Sequence, residues 1–146
     1  MQTPDVAAAV QFAREHGLPL SIRGGGHSAS GNAVCDGGMM LDMSRWKAIH
    51  VDAENRTAKA APGLTLGDFD RATHAHRLGT PLGIVSKTGV AGLTLGGGLG
   101  WLMGKYGLAC DNLIGAELVT ADGKVVCANA NKNADLFWGL QRICDA

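Results

Sequence analysis

Residues 23–28 read Arg23-Gly24-Gly25-Gly26-His27-Ser28. Three glycines followed by histidine and serine make a loop with almost no side-chain bulk, closed by one nucleophilic ring. Without Cβ atoms, consecutive backbone N–H groups can turn toward an anion, and a bulky ligand can approach the main chain closely. Such a loop suits a phosphate-bearing cofactor, with His27 placed to touch it.

A second glycine tract follows at residues 89–100, Gly89-Val90-Ala91-Gly92-Leu93-Thr94-Leu95-Gly96-Gly97-Gly98-Leu99-Gly100, and runs on through Lys105-Tyr106-Gly107-Leu108 to Asp111-Asn112. It is not a P-loop. If Gly104-Lys105 closed one, glycine would be needed at 99 and serine or threonine at 106, where Leu99 and Tyr106 stand. The dinucleotide fingerprint G-x-G-x-x-G fails as well. Started at Gly96 or Gly98, it ends on Trp101 or Met103.

Between and around the tracts the pattern is mixed. Thr3-Pro4-Asp5 predicts a helix start with threonine as cap, ending at His16-Gly17. Leu18–Ile22 and Met39–Asp42 read as short strands, and Ile49–Asp52 with Thr57–Ala60 as a hairpin. Thr65 with Asp68 predicts a capping box for a helix that carries Leu66, Phe69 and Ala72 on one face and stops at Gly79. A helical turn is expected near Leu102. Leu113–Thr120 and Lys124–Ala128 read as strands joined at Asp122-Gly123, and Asn133 as the cap of a last helix holding Leu136, Phe137 and Leu140. Helices and short strands alternate without a strict βαβ rhythm, which predicts the α+β class.

The 146 residues, 46% of them hydrophobic, suffice for one modest core. Thirteen basic and thirteen acidic residues balance, so nothing points to nucleic acid or an anionic membrane as partner. No run reaches the ~20 apolar residues of a membrane span, and the N-terminus does not read as a signal peptide. Cys35, Cys110, Cys127 and Cys144 are scattered without a C-x-x-C, predicting reduced, mostly packed thiols and a cytoplasmic protein. His74 and His76 lie two apart on a helix and so share no face; no metal site is expected. His50 is expected on a strand surface. Trp46, Trp101 and Trp138 are expected in the core or an interface. Asp68-Asp70 reads as a helix-start charge feature, and no G-x-S-x-G hydrolase elbow occurs. Twenty-two glycines, about twice the usual share, cluster in the two tracts, as ligand-shaping loops would require.

Together these segments, with Asn133-Ala134-Asp135-Leu136-Phe137-Trp138, resemble the FAD-binding domain of the p-cresol methylhydroxylase and vanillyl-alcohol oxidase superfamily, in its berberine-bridge-enzyme-like branch. The resemblance implies two α+β subdomains with FAD extended between them, at about residues 1–60 and 61–146. It implies FAD as cofactor, attached through His27 to the flavin 8α-methyl carbon. Some relatives add a second link from a cysteine, but the matching place here reads Val85-Ser86-Lys87. One tether at His27 is therefore expected, with no such role for Cys110.

FAD would approach the backbone at Gly24, Gly25 and Gly26 beside Ser28, and at Gly89, Gly92, Gly96, Gly97 and Gly100, with Val90 and Leu93 in the same run. Tyr106, Gly107, Leu108 and Asn112 match a segment that borders FAD in relatives, or are packing. Arg23 supports the loop, sits near the FAD phosphates, or is a solvated strand-end residue.

The implied chemistry is hydride transfer from a substrate C–H to flavin N5, with oxygen re-oxidising the flavin to give hydrogen peroxide. The substrate is a small molecule of unspecified kind. Relatives continue past the Trp138 region into a further flavin-lining run and a substrate domain. This chain is thus expected to be a truncated second subdomain without that domain, prone to self-association through an exposed sheet. Three readings remain open: the cofactor part of an oxidoreductase, a flavin-binding remnant without turnover, and a module for another phosphate ligand.

Overall fold

A computed structural model describes residues 1–141. In chain order the elements are α1 (Thr3–Glu15), β1 (Leu20–Arg23), β2 (Met39–Asp42), β3 (Ile49–Asp52), β4 (Thr57–Ala60), α2 (Leu66–His74), α3 (Val90–Leu95), α4 (Met103–Tyr106), β5 (Ala116–Val119), β6 (Val125–Ala128) and α5 (Ala134–Gln141). The class is α+β, as the sequence implies. The strands form three two-stranded sheets among the described residues: β1–β2 parallel, β3–β4 and β5–β6 antiparallel. A parallel pair needs a long crossover. Here residues 24–38 supply it as a loop, and that loop carries the first glycine tract.

Several element ends differ from expectation, each for a local reason. Gln2, not Thr3, caps α1. The Gln2 N–H donates to Asp5 Oδ2 at 2.9 Å, while the Thr3 hydroxyl donates to the Glu117 carboxylate and ties α1 to β5. Helix α2 ends at His74 rather than near Gly79. Leu78 N–H bonds to Thr73 O (3.1 Å) and Arg77 N–H to His74 O (2.8 Å), with Arg77 at φ 58°. This is the Schellman pattern, formed here with arginine instead of glycine. The second glycine tract, expected as open loop, contains α3. β5 begins only at Ala116. Asn133 sits at φ 50° before α5, and its side chain donates to Cys127 O at 2.7 Å.

Two small apolar clusters hold the elements. Val6, Leu41 and Met43 are buried with Ala9, Val10, Leu20, Trp46 and Val119 against them. Leu66, Phe69, Leu82 and Ala109 form the other, flanked by Ile49, Ala58, Ala60, Val90 and Leu93. Both clusters draw on residues from either side of position 60. Trp46 packs as expected, but Trp101 is 87% exposed and Trp138 is also exposed, so neither belongs to a core. Of the thiols, Cys110 is buried, Cys35 is half-buried and Cys127 is exposed; Cys144 lies outside the described residues.

The capping box of α2 forms as expected. Asp68 Oδ2 accepts Thr65 N–H at 3.1 Å and Thr65 Oγ1–H at 2.8 Å, and Asp68 N–H donates to Thr65 Oγ1 at 3.3 Å. Lys47 Nζ donates to the same carboxylate at 2.6 Å and pins the β2–β3 loop to the helix start. These bonds, led by that from Lys47, hold the Asp68 carboxyl at about 2, below the ordinary 3.8. A carboxyl lowered on folding stabilises the fold above pH 3.8 and loses that contribution as pH falls toward 2. Thr65→Ala should cost about 1 kcal/mol in urea unfolding. In Asp68→Asn the thermal midpoint should fall less steeply with acidification over this window than in the wild type. Parallel pH profiles for the two proteins would count against the assignment.

Candidate functional site

The two glycine tracts meet back to back. A Cβ placed on Gly89 would lie 2.5 Å from Gly25 N, and one placed on Gly25 would lie 2.5 Å from Gly89 Cα. Real side chains do not come so close, so only glycine at both positions permits the crossing. Each strand of the crossing is anchored from its own side. β1 and β2 hold the first tract. Leu66 N–H to Thr88 O and Val90 N–H to Leu64 O, both 2.9 Å, hold the second to the start of α2.

Beside the crossing lies a cleft of about 400 Å³. Gly24, Gly25, Gly26, His27 and Ser28 line it from the first tract, and Gly89, Gly92 and Leu93 from the second. Ile22, Asn32, Ala33 and Thr88 also line it, and sequence reasoning missed all four. Ile22 is 56% exposed while its neighbour Ser21 is buried, an inverted alternation that a four-residue strand cannot announce. Asn32 and Ala33 lie in an aperiodic loop. Thr88 had the one available signal, its place directly before the second tract.

The wall is chemically simple. Among the described residues, none of the backbone N–H groups from Gly24 to Ser28 donates to a protein acceptor. Gly24 and Gly25 are half-buried and Gly26 to Ser28 are exposed; amides left without a protein acceptor are ready donors for an anion. No carboxylate lines the cleft, and His27 is its one titratable side chain. The His27 ring is exposed. Ser28 Oγ is 3.0 Å from Ser30 Oγ. The Cα face of Gly92 is open, with nothing near a Cβ built there. A glycine cradle with free amides, an open face and no negative charge fits a phosphate-bearing group.

The other expected residues lie elsewhere. Val90 packs on the core and bonds through its N–H to Leu64 O. Gly96 ends α3, its N–H on Gly92 O at 3.1 Å. Gly97 is buried at φ 94°, a conformation that favours glycine, and its carbonyl accepts Cys110 N–H at 3.0 Å. Gly100 lies against the Leu82 carbonyl so closely that no Cβ fits. Gly100 thus leaves no room for a side chain against Leu82, and Gly97 takes a backbone conformation that favours glycine.

Asn112 Nδ2 bonds to Tyr106 O (2.9 Å) and Leu108 O (2.8 Å), and Asp111 Oδ2 accepts Leu108 N–H (2.8 Å). Residues Tyr106, Gly107, Leu108 and Asn112 thus form one stapled turn outside the cleft wall. Arg23 pairs with Asp42 at 3.0 Å and does not line the cleft. A shallower depression on α2 is lined by Asp70 and Arg71 among others; Asp70, raised by burial, would oppose an anion there. Among the described residues no His, Cys, Asp and Glu group suits a metal, and no helix is long and apolar enough to cross a membrane.

Residues 2–129 match a family model described as FAD binding domain. The chain is 40% identical over 137 residues to (R)-6-hydroxynicotine oxidase of Paenarthrobacter nicotinovorans, covering 94% of this chain and 30% of that protein. It is 39% identical to an FAD-linked oxidoreductase of Aspergillus terreus, over 94% of this chain and 28% of the other. Among solved structures, 6-hydroxy-D-nicotine oxidase from Arthrobacter nicotinovorans superposes with a TM-score of 0.94 at 39% identity, over 96% of this chain and 31% of that one. The berberine-bridge-enzyme-like protein 1 of Physcomitrella patens gives 0.91 at 36%, over 96% and 31%. The chain thus spans about 30% of the length of the relatives it matches.

The crossing separates two kinds of glycine by a stability measurement. Gly25→Ala and Gly89→Ala should each lose about 1–3 kcal/mol in urea unfolding through overpacking. Gly92→Ala, whose methyl enters open space on a helix, should hold or gain up to about 1 kcal/mol. Equal stabilities for all three variants would contradict the back-to-back contact.

Proposed function

This chain belongs to the FAD binding domain family, in the p-cresol-methylhydroxylase-type, berberine-bridge-enzyme-like group of FAD-linked oxidoreductases, and from that premise we propose that its cleft grips FAD with His27 as the single covalent tether. The observation that carries the reading is the run of free amides from Gly24 to Ser28 beside the exposed His27 ring. Those amides would hold phosphate oxygens. The open face of Gly92 would let the cofactor lie against α3.

When bound, FAD would supply a two-electron acceptor for hydride from a substrate C–H, with oxygen as the re-oxidant giving hydrogen peroxide. His27 would supply a ring nitrogen as the nucleophile. Tethering would replace the His27 ring N–H and one C–H of the flavin 8α-methyl by a C–N bond, with O2 as the oxidant that would take up both hydrogens as hydrogen peroxide. A single tether is supported twice. Val85-Ser86-Lys87 holds no cysteine. Cys110 is buried, and burial pushes its thiol up.

The chain alone would carry the cofactor-holding share of the reaction. We place the subdomain division near residue 60 and substrate selection in polypeptide beyond this span. A flavin-binding role without turnover is the second reading. It is favoured by a cleft whose one acid–base side chain, His27, is committed to the tether.

We also propose self-association. Leu95, Leu99, Trp101, Leu102, Met103 and Tyr106, close together in the chain, are all exposed and would carry the contact. Neutral net charge leaves no repulsion to oppose contact between copies.

Two measurements check these readings. Acid-precipitated wild-type protein, expressed with FAD available, should give a yellow washed pellet and His27→Ala a colourless one. Covalent flavin persisting in His27→Ala would remove the tether. In light scattering the wild type should run larger than 15.1 kDa, and a Leu99→Ser, Trp101→Ser variant should shift toward that mass. A wild-type monomer would sink self-association.

A further inference from the structure

Arg23 and Asp42 are register partners in the last rung of the parallel β1–β2 ladder. There Arg23 Nη1 donates to Asp42 Oδ2 at 3.0 Å. The other oxygen, Asp42 Oδ1, accepts Ser44 N–H at 2.9 Å, and Met43 N–H donates to Arg23 O at 2.8 Å. Both oxygens of the carboxylate are therefore occupied, and the end of β2 is fixed to the end of β1. The opposite edge of the guanidinium lies against Gly26. A Cβ on Gly26 would sit 2.8 Å from Arg23 Nε and 3.2 Å from Nη2. Gly26 has φ 67° and directly precedes His27. One planar cation thus spans from the end of β2 to the turn that aims the histidine. A lysine ammonium, a point charge without a flat face or a fork, cannot do both.

We infer that the Arg23–Asp42 pair is a positioning brace for His27, fixing the Gly26 turn from behind instead of binding the cofactor phosphates. This rests on the reading of His27 as the tether. The arrangement agrees with the absence of Arg23 from the cleft wall. Both partners are half-exposed, so the pair adds little to global stability, and its loss acts on the aim of the ring. Misplacement of a reacting group by about 1 Å can slow a reaction by up to ~100-fold.

The test uses the full chain as wild type, Asp42→Asn, Arg23→Gln and the double variant. In flavin-free protein, ¹⁵N order parameters of Gly24 to Ser28 should fall in Asp42→Asn. On adding FAD, covalent incorporation should slow by about tenfold in each single variant. The double variant should be no slower than the slower single one, because the two residues act as one unit. Asp42→Glu, which keeps the charge, should recover part of the rate. In a His27→Ala background, Asp42→Asn and Arg23→Gln should change the FAD dissociation constant by the same factor, because both act only through the order of the loop.

Unchanged order parameters in Asp42→Asn would overturn the brace. So would an Arg23→Gln that weakens FAD binding in the His27→Ala background while Asp42→Asn leaves incorporation untouched, for Arg23 would then be a phosphate ligand. If wild-type protein takes up no covalent flavin, the tether reading fails by itself, and the order parameters still decide whether the brace exists.

Discussion

The passage of one backbone directly across another at Gly25 and Gly89 sets the geometry of the candidate site. Neither position admits a Cβ, so the two tracts approach as bare main chain. Everything needed to keep them there is local and directional. The parallel β1–β2 ladder delivers the first tract, and the bonds at Leu64, Leu66, Thr88 and Val90 deliver the second. The cleft is the space left beside that contact. At the crossing its wall is bare main chain, because side chains are excluded there.

The same constraint explains how the glycines divide. In the second tract Gly92 turns an open face to the cleft, whereas Gly100 is filled from behind by the Leu82 carbonyl and Gly98 by Ala109 and Leu93. Packing glycines of this kind hold the tract against the small cluster of Leu66, Phe69, Leu82 and Ala109, where larger residues would push it outward. A tract that reads as one ligand loop is therefore a short helix with a packed return. Its function depends on both populations, since the cleft exists only while the return stays closed.

Much of this was legible in sequence, and what was not has specific causes. Most helix and strand positions and the Thr65–Asp68 box follow from periodicity and capping chemistry, which are local, while His27 stands out only through the glycines before it. The ends of α2 and β5 were misjudged because Arg77 adopts a positive φ usually left to glycine and because Leu113 to Gly115 are apolar without joining the ladder. Thr3 reads as a cap, yet its hydroxyl bonds a residue 114 positions away. Asn32 and Ala33 reach the cleft through a loop with no period at all. Glycine identity says that space is short at a position; it does not say whether a ligand or the protein's own backbone fills it. Only the three-dimensional crossing separates Gly92 from Gly100.

A site made of backbone has a consequence for divergence. Amide donors do not change when side chains do, so the cradle survives as long as the crossing glycines and their anchors survive. The superpositions agree with this: TM-scores of 0.94 and 0.91 accompany identities of 39% and 36%. Side-chain chemistry is concentrated instead at His27, which alone among the lining residues can gain or lose a proton. Its performance then depends on aim more than on surroundings. That places unusual weight on the turn at Gly26 and on what stands behind it, which in this fold is the guanidinium of Arg23 held by Asp42.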